Sequence, residues 1–142
     1  MAIYSIARRT TNTTSGASAH TITTTSTDRA AVLEAGIFMA IGTASQYSLG
    51  RPAANGVTPT SPVTLLAEDP SSPAGTTQSV LAWATSPTNP TNDMRRWAGP
   101  ATIGTGVIFT FPRGILVAVS SNFVLQNVGT NGVVDSYFVV DE

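Results

Sequence analysis

Apolar and polar positions alternate in short blocks along the second half of the chain. Strand-like runs occupy residues 78–85, 106–111, 115–119, 123–128 and 133–140. The segments Pro112-Arg113-Gly114, Ser120-Ser121-Asn122 and Gly129-Thr130-Asn131-Gly132 separate the last four runs. Short strands at a spacing of about ten residues, with turn residues between them, predict an all-β sandwich. Asn131-Gly132 between two apolar runs predicts that the last two strands form a hairpin.

The first half of the chain carries fewer apolar segments. Residues 2–9 are a short strand candidate, and residues 63–67 are another within the loop-rich, proline-containing stretch 45–77. Residues 29–43 read RAAVLEAGIFMAIGT, and the part AAVLEA would suit a helix. Gly36, Gly42 and the β-branched residues instead favour one long, nearly continuously apolar buried strand.

A Thr/Ser-rich tract covers residues 10–27 and contains almost no large apolar side chains. The β-branched threonines favour extended structure, but such a tract buries little hydrophobic surface. We therefore expect either an edge strand or an arm that becomes ordered on a neighbouring subunit. The sequence leaves open whether the tract pairs within its own subunit.

Together these elements predict a single-domain antiparallel β-sandwich over residues 1–142, with residues 1–28 as an N-terminal arm or as edge strands. A jelly-roll-like form is expected, because about eight strands fit a chain of this length. The 142 residues contain no internal repeat, no heptad pattern and no sign of a second domain.

The charge content excludes several classes of partner. The net charge is −1 and only 11% of residues are charged, so the chain lacks the basic excess that nucleic-acid binding requires. No apolar stretch approaches the roughly 20 residues of a membrane span, and the N-terminus MAIYSIARRT lacks a signal-peptide layout. We therefore expect no nucleic-acid partner, no membrane partner, and assembly in a cytoplasm. Cysteine is absent, which excludes disulfides and thiolate chemistry.

Residues able to carry catalysis or bind a metal are sparse. His20 is the only histidine, has no acid or nucleophile near it in sequence, and is expected at the surface or on an edge strand. No pattern matches a nucleophilic serine with its base, a zinc site, a calcium loop or a dinucleotide fingerprint. Glu34 lies inside the apolar run 29–43, so we expect it to form a structural salt bridge with an arginine. The chain is predicted not to be an enzyme and to use no cofactor or metal.

Residues 82–100, AWATSPTNPTNDMRRWAGP, are a candidate contact loop. Its prolines would reduce the entropy lost on docking, and its Trp and Arg side chains are the types that dominate binding hot spots. Two further loop arginines share this character. The protein-contact candidates are Arg51, Pro87, Pro90, Arg95, Arg96, Trp97 and Arg113. The alternative is that Trp97 merely caps the sandwich and the arginines are solvated.

Several of these segments resemble a known class of protein as a set. They are residues 50–70 (GRPAANGVTPTSPVTLLAEDP), 82–97 and 103–127 (IGTGVIFTFPRGILVAVSSNFVLQN), together with VVDE at residues 139–142. They are similar to small β-sandwich virion proteins of tailed phages and prophages that decorate or cement a capsid. The N-terminal third departs from this likeness.

The resemblance implies a jelly-roll-like subunit, usually trimeric, that sits on the capsid surface between capsomers. Such a subunit bridges molecules of the major capsid protein and performs no chemistry. The expected partners are thus the major capsid protein and further copies of the chain, and the expected location is the virion. Residues 45–62 and 84–101, with the N-terminal tract as a further candidate, would make these contacts.

The sequence is also compatible with other functions. A carbohydrate-binding module or the host-recognition tip of a phage fibre would use exposed aromatic side chains to stack on sugar rings, the candidates being Tyr47, Trp83, Trp97 and Tyr137. A head–tail or baseplate component would have the same fold, since fold does not determine function. A hydrolase is disfavoured because no nucleophile and base are paired.

Overall fold

The computed structural model describes residues 2–142, which form thirteen β-strands and no helix. The strands are β1 (Ile3–Arg9), β2 (Ser18–Thr23), β3 (Ala30–Met39), β4 (Ser45–Gly50), β5 (Val57–Thr60), β6 (Val63–Thr64), β7 (Leu66–Ala67), β8 (Gln78–Val80), β9 (Ala82–Thr85), β10 (Arg95–Gly99), β11 (Gly106–Val117), β12 (Asn122–Asn127) and β13 (Val134–Asp141). Antiparallel sheets pack against each other, so the prediction of an all-β sandwich is confirmed.

Two large sheets make up the sandwich. One has five strands in the order β11-β3-β13-β1-β7, and the other has six in the order β10-β4-β12-β2-β8-β6. The remaining strands, β5 and β9, pair only with each other as a small ribbon. The long strand predicted within residues 29–43 is confirmed as β3, which pairs with β11 on one side and β13 on the other.

The core lies between the two sheets and is built from alternate residues of the strands. On β13 the side chains of Val134, Ser136, Phe138 and Val140 are buried, whereas those between them are partly exposed. Phe138 meets Phe123 of the opposite sheet edge to face, with the ring centroids 6.2 Å apart. Burial of these large side chains supplies much of the hydrophobic stabilisation.

The second half of the Thr/Ser-rich tract forms the interior strand β2, so the prediction of an edge strand or a neighbour-bound arm is wrong there, whereas most of residues 11–16 are exposed. Its strand β2 lies between β12 and β8 and pairs within its own subunit. Ser18 Oγ lies 2.6 Å from Thr21 Oγ1, and the Thr24 hydroxyl donates to the Ala118 carbonyl. Small polar side chains whose hydrogen bonds are made inside the protein are buried at low cost.

His20 is fully buried rather than at the surface or on an edge strand. Its Nδ1 lies 2.8 Å from Ser136 Oγ on β13, and its Nε2 lies 2.7 Å from Ser79 Oγ on β8. The imidazole therefore links the two sheets. Burial, with a smaller contribution from the charge of Arg8, lowers the pKa of His20 from 6.5 to about 3. The ring is consequently neutral at physiological pH.

Residues 128–133 do not close the predicted hairpin. Because β12 belongs to the six-stranded sheet and β13 to the five-stranded sheet, this segment crosses the sandwich. Its glycines permit close packing instead. A Cβ on Gly129 would lie 2.5 Å from the backbone nitrogen of Gln46, and one on Gly132 would lie 2.6 Å from the Tyr47 hydroxyl oxygen.

The segment Pro112-Arg113-Gly114 is a β-bulge inside β11, not the predicted turn. Pairing with β3 continues on both sides of it, with a register shift between Thr110 and Ile115. Gly114 has a φ of 65°, which glycine adopts without the penalty that other residues pay.

Residues 63–67 pass from one sheet to the other instead of forming one strand. β6 pairs with β8 in the six-stranded sheet, and β7 pairs with β1 in the five-stranded sheet. Leu65 lies between them, is buried, and donates its N–H to the Thr77 carbonyl at 3.1 Å. The predicted strand 78–85 is divided in a similar way between β8 and β9.

Glu34 forms no salt bridge among the described residues, so the predicted arginine partner is wrong. The Tyr137 hydroxyl on the adjacent strand β13 donates to Glu34 Oε1 instead. Partial burial and this carboxylate together raise the pKa of Tyr137 to about 12. The tyrosine ring lies over Gly36, where a Cβ would overlap it.

The neutral, buried His20 predicts a loss of stability as the pH falls from about 6.5 to about 5. In this range the unfolded chain binds a proton on His20 that the folded chain does not, because the folded-state pKa is depressed. The free energy of unfolding should therefore fall by up to about 1.4 kcal/mol per pH unit. Urea denaturation at a series of pH values measures this slope, and most carboxyl groups titrate below the chosen range.

The control is the variant His20→Gln, which keeps hydrogen-bonding groups at the position but does not titrate. We expect it to be less stable than the wild type and its free energy of unfolding to be nearly independent of pH over the same range. A wild-type curve as flat as that of the variant would contradict a neutral buried imidazole.

Candidate interaction surface

Three of the candidate contact residues lie together along β11. Arg113 belongs to the bulge of this strand. Arg95, on β10, places its guanidinium carbon 5.3 Å from the centroid of the Phe111 ring. Arg51 donates from Nη2 to the Leu116 carbonyl at 2.9 Å. The fold thus brings to β11 three arginines that are far apart in sequence, one within the strand and two that contact it.

The strands β10 and β11 are the outermost strands of their respective sheets and contact each other. Each has only one neighbour within its sheet, so each carries a row of backbone groups that its own sheet leaves unpaired. The prediction that Arg95, Arg96 and Trp97 belong to a loop is wrong. They form β10, in which Arg95 stands opposite Leu49 of β4.

An open groove of about 520 Å³ lies between these two strands, and we call it the β10–β11 groove. It is lined by Met94, Arg95, Phe111, Pro112, Arg113, Gly114 and Ile115. The bulge provides three of these residues in succession, Pro112, Arg113 and Gly114. Phe111 is 5% exposed and forms part of the core, whereas Arg113 is exposed. The groove therefore combines a firmly held apolar surface with solvent-exposed cations.

The lining of the β10–β11 groove is positively charged, since it includes Arg95 and Arg113 and no acidic residue. Arg95 donates from Nη1 to the Met94 carbonyl at 2.7 Å while it lies over the Phe111 ring, and these contacts hold its guanidinium in place. A ligand complementary to this groove is an apolar segment that carries carboxylates.

Arg96 and Trp97 lie outside the groove. The Arg96 guanidinium is 3.2 Å from an Asp93 carboxylate oxygen and 3.2 Å from Gln46 Oε1, so its charge is already partnered. The Trp97 ring is half-buried and packs against the core beside Gly99 and Met39. Trp97 therefore occupies the capping position that the sequence had left as an alternative.

Pro87 and Pro90 attach the segment between β9 and β10 to the body of the protein. Pro87 is buried against Gly56, and Pro90 lies against Gly50. Ala54 and Thr88 add two hydrogen bonds, of 2.7 Å and 3.0 Å, between this segment and the one before β5. The segment is therefore held in one conformation by its own contacts.

Sequence reasoning missed the groove for two reasons. The sequence pattern predicted two strands in place of β11, separated at the bulge. It also gave no indication that Arg51, Arg95 and Arg113 lie close together in the fold. The sequence did contain a signal that β11 exposes apolar side chains, because Val107, Ile108 and Phe109 are apolar on both faces of one strand. Ile108 is indeed 52% exposed, and Leu116 further along β11 is 50% exposed.

A second, polar pocket of about 280 Å³ lies next to Trp83. Its other side chains are mostly neutral and polar, and include Asn55, Gln78 and Asn122. The indole Nε1 of Trp83 donates to Thr21 Oγ1 at 3.3 Å. Of the other aromatic residues considered for stacking on sugars, Tyr47 is fully buried and thus unable to do so.

One buried contact has the distance of a nucleophile and its base. Ser79 Oγ lies 2.7 Å from His20 Nε2, a pair that sequence spacing did not reveal because 59 residues separate the two. Both residues are 0% exposed, so a substrate has no access to them in this conformation. This contact lies within the six-stranded sheet and holds the imidazole that bonds Ser136 of the other sheet.

No protein-family model matches this chain, and no curated protein or solved structure is significantly similar to it. Within residues 2–142 there is no helix of the length and apolarity needed to cross a bilayer.

We expect substitutions at two residues of the β10–β11 groove to change the free energy of unfolding by very different amounts. Phe111→Ala should lower the free energy of unfolding by about 3 kcal/mol or more, because a buried aromatic ring is removed from the core. Arg113→Ala should change it by less than about 0.5 kcal/mol, because this side chain is exposed. Urea denaturation of the two variants beside the wild type measures both values. Equal losses would mean that the groove is not a rigid apolar surface with a solvated rim.

Proposed function

We propose that the protein is a non-enzymatic structural subunit of a virion, a capsid decoration or cement protein that acts as a homotrimer. The observation that carries this proposal is the β10–β11 groove, a preformed apolar and cationic surface at the open edges of both sheets. Its partners are further copies of the chain and the major capsid protein. The protein is assembled in the host cytoplasm and resides on the capsid surface.

A rigid surface of this kind suits binding without chemistry. The groove is built from strand residues and a bulge, and the adjoining segment is pinned by Pro87 and Pro90. Little conformational entropy is then lost on association. Arginine and aromatic side chains are also the types enriched at protein–protein interfaces.

Cementing follows from mass action. A subunit that binds only the assembled lattice lowers the free energy of that lattice relative to its separated components. A trimer that engages several lattice sites at once adds avidity, because the second and third contacts are intramolecular. Stabilisation of a shell by this route needs no active site.

A second candidate function is glycan binding at the tip of a virion fibre, and the pocket beside Trp83 favours it. An aromatic ring bordered by Asn, Gln and Thr side chains is the kind of environment that binds neutral sugars. A glycan array tests this candidate directly. Binding there that is lost in Trp83→Ala would favour the fibre-tip function over the cement function.

The cement proposal predicts that purified protein binds mature capsids of its own phage and raises their resistance to heat and chelators. The variant Arg95→Glu/Arg113→Glu should lose most of this protection, since it reverses the charge of the groove. The control Arg29→Glu reverses an exposed arginine outside the groove and should protect the capsid as well as the wild type. Co-sedimentation and capsid melting measure the two effects. Failure of the wild type to bind its own capsids would overturn the proposal.

A further inference from the structure

The β10–β11 groove is complementary to a segment that is apolar and acidic, and the chain itself carries such a feature at the other end of the five-stranded sheet. The five-stranded sheet begins with β11 and ends with β7. Leu66 of β7 is 70% exposed, the largest exposed fraction among the exposed large hydrophobic side chains of the described residues. Glu68 and Asp69 follow directly and are both exposed.

This acidic corner, Leu66 to Asp69, is held in a defined conformation. The Glu68 N–H donates to the Ile3 carbonyl at 2.9 Å, which fixes the backbone to β1. Asp69 Oδ1 accepts hydrogen bonds from the Ser71 hydroxyl at 2.7 Å and from the Ser71 N–H at 2.8 Å. These bonds lower the pKa of Asp69, so its carboxylate remains ionised. Neither Glu68 nor Asp69 forms a salt bridge within the described chain.

We propose that the groove of one subunit binds the acidic corner of a second copy of this chain. Leu66 would contact the accessible apolar lining at Pro112 and Ile115, while Glu68 and Asp69 would pair with Arg95 and Arg113. The match is one of number and sign, because two unpaired carboxylates meet two cations that have no acidic partner in the groove. The inference rests on the self-association part of the proposed function and identifies its interface.

The geometry of this contact sets the kind of assembly. Two different patches at opposite edges of one sheet meet head to tail, and such a heterologous contact builds a closed ring when its rotation closes. When the rotation does not close, the same contact builds an open filament, and the native mass distinguishes the two assemblies. The contact should weaken as ionic strength rises, because exposed ion pairs are screened.

Reciprocal charge reversal tests the pairing. The native mass is measured by light scattering on a sizing column for the wild type, Arg95→Glu/Arg113→Glu, Glu68→Arg/Asp69→Arg, and the variant that combines all four substitutions. We expect an oligomer for the wild type, monomers for both double variants, and restoration of the oligomer in the fourfold variant, where the charges are complementary again. Arg29→Glu serves as the control and should remain oligomeric.

Milder variants guard against loss of folding. The single substitutions Glu68→Arg and Arg113→Glu should each raise the dissociation constant at least tenfold, and their combination should recover most of that loss. Circular dichroism and thermal melting establish that every variant is folded. The recovery separates charge pairing from mere damage to the surface.

Two results would overturn the inference. One is a wild-type oligomer whose mass is unchanged by both double reversals. The other is a monomeric wild type. If capsid binding of that monomer is lost on reversal of the groove but not on reversal of the corner, the groove is assigned to an acidic segment of the capsid protein. That second result would leave the cement function standing, whereas an intact ring that fails to bind capsids would contradict the cement function alone.

Discussion

The hydrogen bonds between one buried imidazole and two buried hydroxyls determine how the two sheets must fit. His20 contacts Ser136 across the sandwich and Ser79 within its own sheet, and each of these residues is nearly inaccessible to solvent. A slip of β13 by one residue would turn Ser136 to the outside and leave Nδ1 of His20 unpaired. Since an unpaired buried polar group costs about 1–3 kcal/mol, the polar link selects one register for strands that hydrophobic packing alone would hold less specifically.

The same interaction explains why the polar strand β2 of the Thr/Ser-rich tract is interior. The strand β2 presents hydroxyl and imidazole groups to partners inside the protein, so its polarity does not require exposure. A reading based on hydrophobic content assigns such a strand to the edge, because satisfied polar groups cannot be recognised before their partners are known. The pattern of apolar residues was sufficient to predict the strands β1, β3 and β13, in which apolar residues dominate. It was insufficient for β2, for the buried strand β4, and for the site of His20.

Glycines that resemble turn signals in the sequence do not mark chain reversals in this fold. Gly129 and Gly132 allow close approach to Gln46 and Tyr47, and Gly114 permits a bulge, so these glycines serve packing and curvature rather than a chain reversal. Of the candidate contact residues, the arginines and the tryptophan were identifiable by type alone. Their grouping was not, because Arg51, Arg95 and Arg113 converge only through the pairing of β10 with β4 and of β11 with β3. The acidic corner after β7 likewise has meaning only once the strand order is known.

The passage of residues 63–67 between the sheets has a mechanical consequence. Between the layers, packed side chains and the hydrogen bond of His20 with Ser136 oppose sliding of one sheet over the other. Here the backbone itself runs from β6 in one layer through the buried Leu65 to β7 in the other. A load applied to the edge of one sheet is therefore transmitted to the second through covalent bonds, and the two layers bear it together.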